Sequence, residues 1–348
     1  MDGITSTFEQ IKGLRSSFTR IIVGFLLYLL ETSITLNQIG IIAGENCWTW
    51  LGPIPVINIT EPALIREVFT RMNEFQKAKL NPLVGLLVPG LVSYEGEKWA
   101  NHRKLINPAF HMEKLKLMLP AFGVSAIEMI SKWEKIISET GSSEIDVWPF
   151  LTSLSADVIS RAAFGSSYEE GRKIFELLKG QTQLTLRLLQ SVYIPGWRFV
   201  PTRTNRKMKK MNSEIQKLLM EIIDKRKKAM EVGEVAKDDL LGILMDSNIK
   251  VSGSLGSPKQ QLAMNFQEII DECKLFYFAG QETTSVLLVW TMILLSKHQD
   301  WQARAREEVL ATSGMSQPDF DGLNHLKTVS ACYFISFFSF PSWIYLLG

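Results

Sequence analysis

Residues Ala279-Gly280-Gln281-Glu282-Thr283-Thr284 set a glycine, a carboxylic acid and two hydroxyls inside a stretch that is otherwise apolar on most of its turns. That stretch, Met264 to Trp301, holds no proline and is long enough for one buried helix through the centre of a domain. Unpartnered polar groups in such a place cost about 1–3 kcal/mol each. A sequence keeps that kind of local conflict where chemistry uses it. Thr283 follows Ala279 by one helical turn, so its hydroxyl can donate to the Ala279 carbonyl, which loosens and bends a helix. Gly280 weakens the same turn. The expected result is a notch that holds a small ligand and a water, with Glu282 supplying a carboxylate and Thr283 the hydroxyl that orients a proton relay. A glycine-weakened helix with these polar groups turned to solvent is the alternative that the six residues alone leave open.

A second constellation is Trp99 and Arg103, at i and i+4 in Glu97-Lys98-Trp99-Ala100-Asn101-His102-Arg103-Lys104. On a helix the two share a face. Both are donors, an indole N–H and a planar guanidinium fork, and an arginine can take a carboxylate bidentately. A surface tryptophan with an arginine stacked on it fits the same spacing.

With Trp48-Thr49-Trp50-Leu51-Gly52-Pro53 upstream and Asn107-Pro108-Ala109-Phe110 downstream of the Trp99 helix, the order and spacing of these segments resemble the cytochromes P-450, the haem-thiolate monooxygenases. The likeness is to the plant membrane-associated type, in its secologanin-synthase-like branch, and runs from about Trp48 to Ser330. It implies a mainly α, cytochrome P-450-like helical domain with a small N-terminal β-hairpin region. It also implies haem b as cofactor, electrons from NADPH through a flavoprotein reductase, and a lipophilic substrate such as a plant terpenoid. The implied location is the cytosolic face of the endoplasmic reticulum membrane. Carried onto this chain, Trp99 and Arg103 bind a haem propionate, Ala279 and Gly280 line the oxygen groove, and Glu282 and Thr283 deliver protons during dioxygen activation. Thr284 has no assigned chemistry.

The family's iron ligand lies in a Phe-x-x-Gly-x-Arg-x-Cys-x-Gly loop, and no segment of this sequence fits it. Cys47 precedes the first strand, Cys273 stands on the long helix about 15 Å along the axis from Thr283, and Cys332 lies in the last segment. A thiolate is the ligand that pushes electron density into haem iron. The expectation is therefore no metal ligand in this chain, a domain lacking the C-terminal haem-ligand part, and no turnover by these residues alone. Non-catalytic binding of haem or an apolar ligand by a helical fragment is the competing reading. From Ala331 to Gly348 the sequence carries no charge in 18 residues. This segment reads as translated non-coding sequence after Ser330, or as a membrane anchor that just reaches spanning length.

Organisation follows from pattern. The chain has 348 residues, 46% of them hydrophobic, and a net charge of +2, which gives no argument for a nucleic-acid partner. Three cysteines without paired spacing do not read as a disulfide framework. Residues 1–46 form a separate N-terminal segment. Its apolar run Ile21–Leu30 is too short to span a bilayer, and signal peptide, short anchor and core helix all stay open. A hairpin is expected over 48–59, then a helix from Pro62 to Thr70 capped by Thr60. A loop over 81–94 follows, substrate-facing by resemblance. Helices are expected at about 97–105, 113–139, 148–164, 169–190, 202–232, 238–247, 300–312 and 321–330. Pro195-Gly196 and Pro201 mark an interruption that is a membrane-dipping lid in the family. Arg203, Arg206, Lys207, Lys209 and Lys210, with 225–228 later, form a basic helix face open to solvent or to anionic lipid. Lys98, Lys104, Lys114 and Lys116 flank the Trp99 helix, where the resemblance places the reductase. The histidines are scattered, and His102, beside Arg103, reads as solvated, with contact to a haem edge as the alternative.

Overall fold

The computed structural model describes residues 46–51, 54–71, 74–77, 82–189, 196, 199–233, 239–252, 264–314 and 316–339. The expectations placed on residues 1–45, on the lid around Pro195 and on 340–348 lie outside the described residues. The chain divides into two units, 1–78 and 79–348.

In the first unit, β1 (Asn46–Leu51) pairs antiparallel with β2 (Ile54–Ile59), in a register that sets Asn46 opposite Ile59 and Leu51 opposite Ile54. This is the expected hairpin. Helix α1 (Pro62–Thr70) follows, with Pro62 in its first turn, where a missing N–H costs nothing. Its cap position falls on Glu61, which makes no side-chain cap bond. Thr60 does not cap it, because the helix starts one residue later than a Thr60 cap requires and sets Glu61 in the cap position; the Thr60 amide donates to Asn46 Oδ1 at 3.1 Å.

The second unit is helical: α2 (Gly96–Ile106), α3 (Met112–Thr140), α4 (Val147–Phe164), α5 (Tyr168–Leu189), α6 (Arg203–Glu231), α7 (Leu240–Ser252), α8 (Phe266–Lys297), α9 (Gln299–Ser313), α10 (Phe320–His325) and α11 (Lys327–Ser339). The 81–94 loop contains two 3-10 turns, Val84–Leu86 and Gly90–Val92. Asp146 caps α4 and Thr202 caps α6 through side-chain bonds, and left-handed glycines end α3 at Gly141 and α4 at Gly165, the pairing of polar start and glycine stop that delimits helices.

Helix α8 packs most extensively on α4 and also meets α6 and α11. Ile106, Ile174, Leu178, Ile215, Leu219, Ile223, Leu241, Leu244 and Tyr277 form one buried cluster around it, with Tyr277 stacked on Phe164 at 4.2 Å between ring centroids. By length and composition α8 also passes as a membrane span. Its packing and its buried Glu272 and Lys274 give it the role of core helix.

Two boundaries differ from expectation. Helix α7 runs on to Ser252, into the stretch read as linker. The expected 321–330 helix is two helices separated at Leu326. Glu308 explains the second start, because its carboxylate accepts from the Thr328 and Val329 amides at 2.8 and 3.0 Å and so satisfies free donors at the beginning of α11. From there α11 is continuous across Ser330, with Cys332 and Ser336 buried.

Candidate functional site

Helix α8 begins with a capping box: Asn265 Oδ1 accepts from the Glu268 amide and Glu268 Oε2 accepts from the Asn265 amide, both at 2.9 Å. That fixes its first turn. Around the expected notch, Gln281 and Ser285 are buried while Ala279, Thr283 and Thr284 are exposed, so one face of α8 is committed to the core and the next is open. Thr283 Oγ1 donates to the Ala279 carbonyl at 2.7 Å, the one-turn bond expected from spacing. Two neighbouring carbonyls also receive hydroxyls: Gln281 O from Ser155 on α4 and Glu282 O from Ser285, each at 3.0 Å. These bonds load the backbone without breaking it, since the helix is continuous from Phe266 to Lys297.

Gly280 has a different part from the one its residue type suggested. A methyl on it would stand 2.6 Å from Ile159 Cγ1, so its lack of a side chain lets α8 approach α4 closely. Glu282 is half-buried, and that burial raises its carboxyl above the ordinary range against the weaker opposing pull of Lys179. A carboxyl moved toward neutrality is suited to holding and releasing a proton.

On α2, Trp99 is half-buried and Arg103 exposed. Between them, His102 is buried, with Nδ1 2.8 Å from Glu272 Oε1 and Nε2 3.7 Å from Glu268 Oε1. Lys98 Nζ meets Glu268 Oε1 at 2.7 Å and lies over the Tyr94 ring at 4.0 Å. Two residues one turn apart on α2 thus pair with two one turn apart on α8. The solvated His102 expected from sequence is corrected: the acid that holds it is 170 positions away. The signal that could have found it is the matched i, i+4 spacing of Lys98/His102 and Glu268/Glu272, acids set in an otherwise apolar helix. The ladder places α2 against the first third of α8, about 16 Å along the axis from Thr283. The structure therefore brings the Trp99 helix to the same long helix as the hydroxyl, but one end along.

Whether these residues suit a haem is decided by their chemistry. The open face at Ala279 and Thr283 offers a small side chain and a hydroxyl, and α2 offers an indole and an exposed guanidinium, which fit a carboxylate-bearing planar group. Cys273 and Cys332 do not fit as its thiolate ligand. Cys273 is fully enclosed in the core and burial pushes its thiol well up; Cys332 is also buried and its thiol is pushed up for the same reason. Ligation needs the opposite shift. Cys47 lies on β1.

The charged stretches are less uniform than their sequence. Arg226 is buried and its guanidinium donates to Asp239 Oδ2 at 2.5 Å, and Lys225 pairs with Glu170 at 2.5 Å, so 225–228 is not one solvated face. Arg203, Arg206, Lys207, Lys209 and Lys210 are exposed around a buried Met208. Lys116 lies over the Phe320 ring at 5.0 Å. A cavity of about 230 Å³ between α3, α4 and the start of α5, lined by Ser125, Lys132, Phe150, Asp157, Arg161 and Tyr168 among others, contains none of the expected site residues.

Comparison with known proteins bears on this arrangement. The family model for Cytochrome P450 matches residues 36–333. Echinocystic acid 23-monooxygenase of Saponaria officinalis is 64% identical over 289 residues, covering 82% of this chain and 55% of that protein. Cytochrome P450 72A397 of Kalopanax septemlobus is 57% identical and secologanin synthase 1 of Catharanthus roseus 53% identical, with the same coverages. The chain spans about half the length of these relatives. A solved structure of cyanobacterial CYP120A1 with retinoic acid bound superposes with a TM-score of 0.70, at 22% identity, over 89% of this chain and 66% of that one; it carries the fold. The match over most of the chain, and the identity to several CYP72 proteins, place it: the chain belongs to the cytochrome P450 family, in the plant CYP72 branch that includes secologanin synthase.

Proposed function

We propose that this chain is part of a haem-dependent monooxygenase that inserts one oxygen atom from dioxygen into a lipophilic plant metabolite of the terpenoid class. The observation that carries the reading is Thr283, exposed on the long helix with its hydroxyl donating to the Ala279 carbonyl at 2.7 Å and the half-buried Glu282 as its neighbour. When bound, haem supplies the iron at which dioxygen is activated. What these residues supply is positioning and protons. With its own proton engaged by Ala279 O, Thr283 Oγ1 is oriented to accept one from solvent or ligand. Glu282, its carboxyl moved toward neutrality by burial, serves as the proton store. Trp99 and Arg103 would hold the propionates through one indole N–H and a guanidinium fork. Gly280 holds α8 against Ile159, which keeps the Thr283 face at a fixed distance from α4.

NADPH electrons would arrive through a flavoprotein reductase, docked on the Lys104 and Lys114 side of α2. The endoplasmic reticulum membrane, cytosolic side, is the proposed location, with the exposed basic run of α6 toward anionic lipid. A terpenoid substrate is supported by the Saponaria relative, an echinocystic acid 23-monooxygenase.

For these 348 residues by themselves, binding without turnover is the second reading, favoured by the burial of Cys273 and Cys332. Both readings meet one experiment. The chain and a relative-length protein containing it are loaded with haem, reduced and exposed to carbon monoxide. The red-shifted Soret band of thiolate ligation is expected only in the longer protein. In that protein Thr283→Val should lower hydroxylation of echinocystic acid while raising hydrogen peroxide release. An unchanged ratio of product to peroxide would remove Thr283 from the relay.

A further inference from the structure

Helix α4 meets the Ala279–Thr284 turn of α8 at two places one helical turn apart. Ile159 packs where Gly280 has no side chain, since a methyl there would stand 2.6 Å from Ile159 Cγ1. Ser155, four residues earlier on α4, is 3% exposed, and its hydroxyl donates to the Gln281 carbonyl at 3.0 Å. The close approach that glycine permits is what brings a short serine side chain within bonding distance of the α8 backbone.

Neither partner needs this bond in order to be buried. Ser155 Oγ also lies 3.1 Å from the Thr152 carbonyl, an acceptor on its own helix of the kind a helical serine ordinarily takes, and the hydroxyl has a single proton to give. The Gln281 carbonyl, inside a continuous helix, has the Ser285 amide as its donor. A second donor draws a helical carbonyl outward. Ala279 and Gln281 lie about 200° apart around the helix, and each carbonyl receives a hydroxyl. Thr283 supplies one on the exposed face at 2.7 Å, and Ser155 supplies the other on the buried face. The turn is thereby loaded from both sides. The peptide unit that Ser155 holds is the one joining Gln281 to Glu282, so the half-buried carboxyl of Glu282 departs from a backbone plane fixed by α4.

We propose that Ser155 is a positioning residue for the proton relay: through the Gln281 carbonyl it fixes the backbone that presents Glu282, and so governs how oxygen is partitioned between product and peroxide. The role rests on the reading of Glu282 and Thr283 as a relay; the bond itself does not.

Two measurements keep bond and role apart. The bond is read by NMR on the 348-residue chain, with isotope-labelled glutamine carbonyls detected through isotope-labelled glutamate amides. The sequence has two Gln-Glu pairs, Gln267-Glu268 and Gln281-Glu282, so Gln267 serves as the internal reference. In Ser155→Ala the Gln281 carbonyl signal should move upfield, as loss of a donor requires, with Gln267 unmoved. The role is read on the haem-loaded, relative-length protein as the ratio of hydrogen peroxide to hydroxylated echinocystic acid. Ser155→Ala should raise that ratio about twofold to tenfold, the span of one net hydrogen bond. Thr291→Val removes another buried hydroxyl of the same long helix, one that donates to the Leu287 carbonyl at 2.8 Å, and should leave both readings unchanged. An unmoved Gln281 signal in Ser155→Ala overturns the bond and the role together. A moved signal with an unchanged ratio, while Thr283→Val raises the ratio, overturns the role and keeps the relay. A ratio unchanged in both Ser155→Ala and Thr283→Val overturns the relay and the role with it. An equal rise in Thr291→Val means a general loosening of α8 and likewise overturns the role.

Discussion

His102 on α2 and Glu272 on α8 are separated by 170 positions in the chain and by 2.8 Å between Nδ1 and Oε1. Both are buried, and the Lys98–Glu268 pair repeats the contact one turn earlier. A buried pair of this kind is costly to break from one side, because the remaining group stays desolvated without its partner. His102→Ala should therefore destabilise the protein by about 3–5 kcal/mol, while Glu272→Gln, which keeps an acceptor for the ring N–H, should cost less. Replacing both with apolar residues of similar size should recover most of the loss. Urea unfolding of the four proteins checks this, and a His102→Ala cost below about 1 kcal/mol, the range of an exposed pair, would show that the pair is solvated.

Lys274 predicts a pH dependence. Burial lowers its ammonium from 10.5 to about 7, with Asp271 opposing more weakly. From about pH 7 to 10.5 the unfolded chain therefore holds a proton that the folded chain has lost, and stability from this group rises with pH across that window. Below about 7 both states are charged and the full desolvation penalty is felt. Tyr277, pushed up to about 12 by burial, and Cys273, also pushed up, act in the opposite sense, since the unfolded chain loses their protons first. The difference between the unmodified protein and Lys274→Met isolates the lysine. The stability advantage of the methionine variant should shrink steadily between pH 7 and 10, and a difference that stays flat would place the amine in contact with water.

Local relations were legible in the sequence and distant ones were not. The Thr283 to Ala279 bond spans one helical turn, so residue type and spacing were enough to foresee it. The hairpin and the helix limits near Pro62, Gly141 and Gly165 follow from turn and cap chemistry of the same short range. His102 read as solvated because its acid lies on a helix 170 positions later. Gly280 read as a weak point within its own helix because Ile159, which needs its missing side chain, belongs to another. Thr60 read as a cap from its residue type, whereas the helix starts one residue later, behind Glu61. The family resemblance assigned the Trp99 helix and the long helix to one haem, and neither it nor spacing gave the ladder of acids and bases that joins the two helices.

Glu308 should control whether α11 starts at Lys327. The Thr328 and Val329 amides it accepts from hold its carboxyl below the ordinary range, so the contribution is present above the unfolded-state value and is lost as pH falls through the lower folded-state one. Glu308→Ala should speed amide exchange in the first turn of α11, and lowering the pH should do the same to the unmodified protein but not to the variant. Equal acid responses in the two would mean that the carboxylate does not cap the helix.

Gly280 sets two opposing effects against each other. In a helix interior Gly→Ala is favourable by about 1 kcal/mol from backbone propensity. Here the new methyl would stand 2.6 Å from Ile159 Cγ1 and 3.0 Å from its Cβ, too close to the backbone of α4 for a rotamer change to clear it. Overpacking of that kind costs about 1–3 kcal/mol, so Gly280→Ala should be destabilising in net by about 1 kcal/mol. Ile159→Ala alone opens a cavity and should destabilise by about 2–5 kcal/mol, whereas in the Gly280→Ala background part of that cavity is filled. The double variant should therefore be more stable than the sum of the two single losses by at least about 1 kcal/mol, the coupling expected of residues in direct contact. Thermal or urea unfolding of the four combinations measures it. Strict additivity, or a Gly280→Ala protein more stable than the original, would mean that the glycine weakens its own turn, as its residue type first indicated, and that α4 is not what holds the Thr283 face in position.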